Sequence, residues 1–147
     1  MCDHYRDHVI AAHDQETVRQ VLKILSETEK GAVIFHCTEG KDRTGFVALF
    51  VLYILGVDLE VIRQDYLASN EILTEYRAAR DKEFQEAGKG LTFRANMRVL
   101  SSASDSLFDT ILLTIEKEYG DFETYVRDVL NVTSELEDKL RELYLEK

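Results

Sequence analysis

A chain of 147 residues that is 45% hydrophobic and 31% charged has the make-up of one ordinary globular domain with a reasonable core. Its formal net charge of −10 repels nucleic-acid backbones and anionic membrane surfaces, so nucleic acid is not expected as a partner. Two cysteines, Cys2 and Cys37, do not make a disulfide framework and suit a reducing compartment.

The chain opens without a cationic stretch, apolar run and cleavage site, so a cytoplasmic location is expected, with export by a non-classical route left open. The sequence Asn131-Val132-Thr133 has the form of a glycosylation acceptor, but it carries no weight without secretion. There is no proline, no low-complexity stretch and no internal repeat, so residues 1–147 read as one domain.

In chain order, His4 and His8 stand four apart, as helical metal ligands would. No third ligand completes a site, and a solvated N-terminal turn is the better reading. Asp14 can cap a helix that buries Val18, Val21, Leu22 and Leu25, which follow the i, i+3, i+4, i+7 pattern. Gly31 resets the chain, and Ala32 to Phe35 is a short apolar run of strand type. Thr44 to Leu55 reads as a nearly all-round buried helix closed by Gly56. Its most apolar part, Phe46 to Val57, is too short to span a bilayer.

Asp58 opens the helix LEVIRQDYLAS, and Asn70 is expected to cap EILTEYRAARDKEFQEA, which stops at Gly88-Lys89-Gly90. From Arg77 to Arg98 basic residues outnumber acidic ones, as an exposed helix side or as a substrate-recruiting rim or lid. Further helices fit Ser106 to Tyr119 and Phe122 to Leu130. Ser134 and Glu137 are spaced as the capping box of a last helix, whose Leu136, Leu140 and Leu143 should dock on the body. The expected class is α/β, mostly helical, with one short central strand. A lone strand leaves backbone donors and acceptors unpaired, so its partners must lie elsewhere or be absent from this chain.

Chemistry concentrates in FHCTEGKDRTG, Phe35 to Gly45. A helix N-terminus presents unpaired N–H groups and positive dipole, which favour an anion. Successive amides from Thr38 through Glu39, Gly40, Lys41 and Asp42 to Arg43 form a nest, and Gly40 gives it backbone freedom. The Arg43 guanidinium fits two phosphate oxygens. The same field lowers a thiol's pKa from about 8.5 into roughly 3.5–7.5, so Cys37 becomes a nucleophile beneath a bound phosphate. Thr44 can donate a hydrogen bond to the sulfur, and His36 orders the loop. Asp42 either pairs with a neighbour or moves a proton. Glu39 and Lys41 fit a solvated rim, and Lys41 could also meet a second anionic group, as on a phosphoinositide. No metal or cofactor is needed, since loop and arginine supply the positive charge.

The run His36-Cys37-Thr38-Glu39-Gly40-Lys41-Asp42-Arg43-Thr44-Gly45 resembles the Cys-x5-Arg signature of protein tyrosine phosphatases, closest to the bacterial branch whose loop reads Gly-Lys-Asp-Arg-Thr-Gly. The segments LGVDLEVIRQDYLASN and YGDFETYVRDVLNV are similar to the same branch. The resemblance runs from about Tyr5 to the end, with its specificity in residues 36–45. It implies hydrolysis of phosphotyrosine, and by some relatives of phosphoserine, phosphothreonine or phosphoinositides, through a cysteinyl-phosphate.

Two departures stand out. The family's longer N-terminal part supplies further strands, whereas here 31 residues precede the strand, so the chain reads as the C-terminal portion of the domain, lacking the N-terminal strands. The family's acid is an aspartate from a separate upstream loop. Asp3, Asp7 and Asp42 are the candidates here, beside its absence from this chain. The open sheet edge suggests a homodimer. One rival is a non-catalytic phosphate-binding module. Another is a thiol redox enzyme, for which Cys2 is the only resolving thiol.

Overall fold

The computed structural model describes residues 1–146, and every regular element among them is helical. Helices α1 (Cys2–Ile10) and α2 (Ala12–Glu27) lead to an extended stretch and the loop. Helices α3 (Asp42–Ile54), α4 (Leu59–Ile72), α5 (Thr74–Glu86), α6 (Leu91–Leu100) and α7 (Asp105–Tyr119) follow. A short α8 (Phe122–Thr124) runs into a π-turn at Tyr125–Val129, and α9 (Ser134–Tyr144) closes the chain.

Helix α3 is the axis because it is apolar on nearly every side. Phe46, Leu49, Phe50 and Ile54 are buried, and Phe50 is wholly so. The Phe50 ring meets Phe46 edge-on at 5.1 Å and stacks on Phe122 and Tyr125 at 5.5 and 5.6 Å. Val18, Leu22 and Leu25 bring α2 to this core, as the periodicity predicts, and Leu140 brings α9. The helix ends in a Schellman motif: the Gly56 N–H donates to Tyr53 O, and the Val57 N–H donates to Leu52 O. Gly56 has φ +89°, the left-handed value that favours glycine.

Several expectations are corrected. No strand forms at 32–35. The segment is extended, with Val33 and Phe35 packed on the core and Ile34 85% exposed, but no second extended segment lies beside it to complete a ladder. The start of the chain is ordered: Tyr5 and Val9, four apart, bury one face of α1 against α7. Asp14 lies in the first turn of α2 rather than capping it, and its carboxylate meets His8 Nδ1 at 3.2 Å. Thr133, one residue before the expected cap, is the N-cap of α9, and its side chain accepts from the Leu136 N–H.

Asn70 is not a cap either. It lies inside α4, where its amide donates to Ala103 O and accepts from the Ala103 N–H, both at 2.9 Å. That clamp closes the root of an arm made of α5 and α6, in which no residue is buried. The arm holds itself together through the Phe84–Phe93 edge contact at 5.2 Å and a two-pronged Arg94–Asp81 ion pair. No helix of the described residues is long and apolar enough to cross a membrane.

Candidate active site

The extended stretch delivers Cys37 to a loop that turns at Gly40, φ +69°, and enters α3 at Asp42. The loop amides and the first turn of α3 therefore converge beside the sulfur, where positive backbone charge is unpaired. Burial raises the Cys37 thiol's pKa. The Thr44 hydroxyl and the amides of Thr44, Glu39 and Gly40 oppose it, and together they win, lowering the value to about 7. The Thr44 hydroxyl is buried and has no other hydrogen-bond partner among the described residues.

Arg43 points outward at the mouth and donates to Thr38 Oγ1 at 3.2 Å. Among the described residues it has no carboxylate partner, so its charge is open to an incoming anion. His36 is exposed, with Nδ1 3.3 Å from the Cys37 carbonyl oxygen. The mouth around Cys37, Thr38, Glu39, Asp42 and Arg43 is completed by His4 of α1, a residue that the sequence reading gave to a solvated N-terminal turn. No group of described residues is arranged to hold a metal ion.

Beneath the loop lies a buried polar knot. Lys41 is 1% exposed, not a rim residue, and its ammonium donates to Asp42 Oδ1 at 2.5 Å and to Leu100 O at 3.4 Å. Asp42 also accepts a hydrogen bond from the Tyr5 hydroxyl, which lies 2.9 Å from the Tyr66 hydroxyl. Burial, then the bonds to Asp42 and Tyr66, push the Tyr5 phenol far above its ordinary value, so it stays protonated and a donor. The knot ties α1, α3, α4 and the end of α6 to the loop. Lys41 thereby faces inward, away from any second anionic group of a substrate.

Gly45 explains the closeness of α3 and α4: a Cβ there would sit 3.2 Å from the Tyr66 ring. Tyr5 and Tyr66 were missed from sequence because their partnership spans 61 residues, and no local pattern signals it. Asp3 and Asp7 are exposed on α1 and do not line the thiol's mouth, and Cys2 is exposed at the helix start.

This geometry is matched by kinship. The profile of the tyrosine phosphatase family covers residues 1–146. The chain is 34% identical over 137 residues to the triple specificity protein phosphatase PtpB of Mycobacterium tuberculosis, covering 87% of this chain and 49% of that protein. It is 41% identical over 61 residues to a tyrosine-protein phosphatase of Nostoc commune, covering 42% of this chain and 21% of that one. The chain thus spans about half the length of the mycobacterial relative. With a cysteine and, six residues on, an arginine at the mouth of one loop and a profile match along its length, the chain belongs to the tyrosine phosphatase family.

Proposed function

We propose that the chain hydrolyses phosphomonoesters, phosphotyrosine first, through a cysteinyl-phosphate. The observation that carries the reading is a thiol lowered to about 7 beside an arginine without a carboxylate partner. The Cys37 thiolate forms the S–P bond as the ester P–O bond breaks and the leaving oxygen departs as its anion, to be protonated by solvent water. Water then attacks phosphorus, the S–P bond breaks, and thiolate and inorganic phosphate are released. Arg43 and the amides of Thr38 to Arg43 hold the three equatorial oxygens in both steps, and Thr44 steadies the sulfur as it leaves. The mycobacterial relative's name speaks of triple specificity, and the reading extends to phosphoserine, phosphothreonine and phosphoinositide esters as slower substrates.

Single-turnover hydrolysis of para-nitrophenyl phosphate from pH 5 to 8 tests this. The expected result is a burst that Cys37→Ser abolishes while circular dichroism stays unchanged. A folded wild type that binds orthovanadate but releases no nitrophenol would instead establish the non-catalytic phosphate-binding module. One observation favours that second reading: the loop carboxylate Asp42 is engaged by Tyr5 and Lys41, while Asp3 and Asp7 lie off the mouth. Without a proton donor, poor leaving groups should suffer by about 10²–10⁴-fold, and nitrophenol least.

The extended residues 32–36 offer unpaired backbone, and we read them as the edge on which a second copy pairs. A clean monomer in sedimentation at high concentration would remove that assembly.

A further inference from the structure

We propose that α6 docks on an anionic lipid surface, lying in the headgroup layer with Leu91, Phe93, Val99 and Leu100 turned toward the acyl chains. No residue of α6 is buried. Leu91 and Val99 are 73% and 66% exposed, and Phe93 and Leu100 are exposed as well. One exposed leucine on a surface is ordinary, whereas four large apolar residues in a single ten-residue helix mark an interaction face.

Their placement sharpens that reading. At about 3.6 residues per turn, Leu91 and Val99 lie along one edge of a broad face, and Phe93 and Leu100 along the other. Thr92 and Asn96 fall between the two edges, and no charged residue does. Arg94, Met97 and Arg98 face the opposite way and line the cavity shared with Glu39 of the loop. A helix in water normally carries its charges outward, as α5 does with Lys82 and Glu86. Helix α6 reverses that order.

Charge complementarity names the occupant. From Ala87 to Ser104 the chain has three cations, Lys89, Arg94 and Arg98, and no carboxylate, although its net charge is −10. Arg94 is taken by Asp81 of α5, and Arg98 reaches that carboxylate only at 3.6 Å. Lys89 has no ion pair among the described residues. Its ammonium lies 5.5 Å from the centre of the Phe93 ring, at the border of the apolar face. Cations flanking an apolar helix face suit lipid phosphates and acyl chains together. The acidic remainder of the chain opposes this weakly, because physiological salt screens exposed charges beyond about 8 Å. A protein partner would need directional polar groups, and this face offers only Thr92 and Asn96.

Ten residues lie on a membrane rather than across it. The carbonyl of Leu100 accepts from the Lys41 ammonium at 3.4 Å, so docking brings the loop of Cys37 up to the headgroups.

The experiment uses the full chain with vesicles of phosphatidylcholine alone and of phosphatidylcholine mixed with phosphatidylserine. Co-sedimentation should show binding at least about fivefold tighter to the mixed vesicles, the worth of one cation at an anionic surface, and Lys89→Gln should weaken it by about that factor. Val99→Glu should abolish binding, while Leu113→Glu, at an exposed position of α7 outside the arm, should leave it unchanged. The chain has no tryptophan, so Leu91→Trp carries a single reporter. Its emission should shift to the blue when mixed vesicles are added, a gain on lipid that misfolding does not explain, and Leu113→Trp should stay unshifted.

Folded protein that binds neither vesicle would overturn the inference, as would equal losses from Leu113→Glu and Val99→Glu. Binding that Lys89→Gln weakens but Val99→Glu spares, with no blue shift, would reduce the contact to surface charge and overturn the docked helix. A dimer that Val99→Glu dissolves, in protein that ignores vesicles, would give the face to a second copy instead. None of these outcomes bears on the phosphatase reading, which turnover decides.

Discussion

Helix α3 and the α5–α6 arm both border the loop of Cys37, yet they are held by opposite means. Helix α3 is surrounded by aromatic and aliphatic side chains, and its first turn sits on the buried Tyr5–Asp42–Lys41 knot. The arm buries no residue and leans on polar ties: the Asn70 clamp, Arg77 bound to Asn70 and Ser102, and the Arg94–Asp81 pair. Burial of apolar area fixes a position in bulk, whereas a few hydrogen bonds fix it only while each is intact. The loop of Cys37 therefore runs into the rigid partner, and the surface beside it belongs to the one that can adjust.

That contrast can be broken first at the core. Phe50→Ala should cost about 3–5 kcal/mol in urea unfolding, while Leu91→Ala, at a position 73% exposed on the arm, should stay within about 0.5 kcal/mol. Comparable losses would mean that the arm belongs to the cooperative core. Next comes the root of the arm. Asn70→Ala removes three side-chain hydrogen bonds, to Ala103 twice and to Arg77 once, worth about 1–3 kcal/mol together. Amide exchange should then speed up across residues 74–100 and stay unchanged across 42–54. Acceleration in both would show that the clamp serves the whole molecule.

The smallest effect sharpens the loop itself. In a Cys2→Ser background, the rate of Cys37 alkylation by iodoacetamide should titrate with a midpoint of about 7, because the thiolate is the reacting form. Thr44→Ala should move the midpoint upward, and an unmoved midpoint would show that this hydroxyl does not serve the sulfur. Linkage gives the companion sign. A thiol pKa below its unfolded value of 9.0 stabilises the folded state fully above that pH, and the contribution fades as pH falls through about 7.

The loop was legible because its pattern is local: cysteine, glycine, arginine and threonine fall within nine residues, and the proposed reaction would use them all on one oxyanion. The ends of α3 and α4 were legible for a like reason, since Gly56 and the Asp58 cap act within a turn of themselves. Helix α1 was obscure because Tyr5 and Val9 carry its buried face amid charged and histidine side chains. Helix α6 hid behind Gly88 and Gly90, which read as a stop although the chain resumes as a helix at Leu91. Asn70 and Lys41 misled for a deeper reason. A polar residue normally points to solvent, and only partners far off in the chain, Ala103 and Leu100, turn these two inward.

The buried ammonium of Lys41 has a use beyond holding the loop. An amine-reactive reagent meets the other described lysines at the surface as soon as it is added, but it reaches Lys41 only when the knot with Asp42 and the Leu100 carbonyl opens. Its acylation rate, followed by peptide mass spectrometry, is therefore a clock for transient opening of the loop that carries Cys37, and it runs without any substrate.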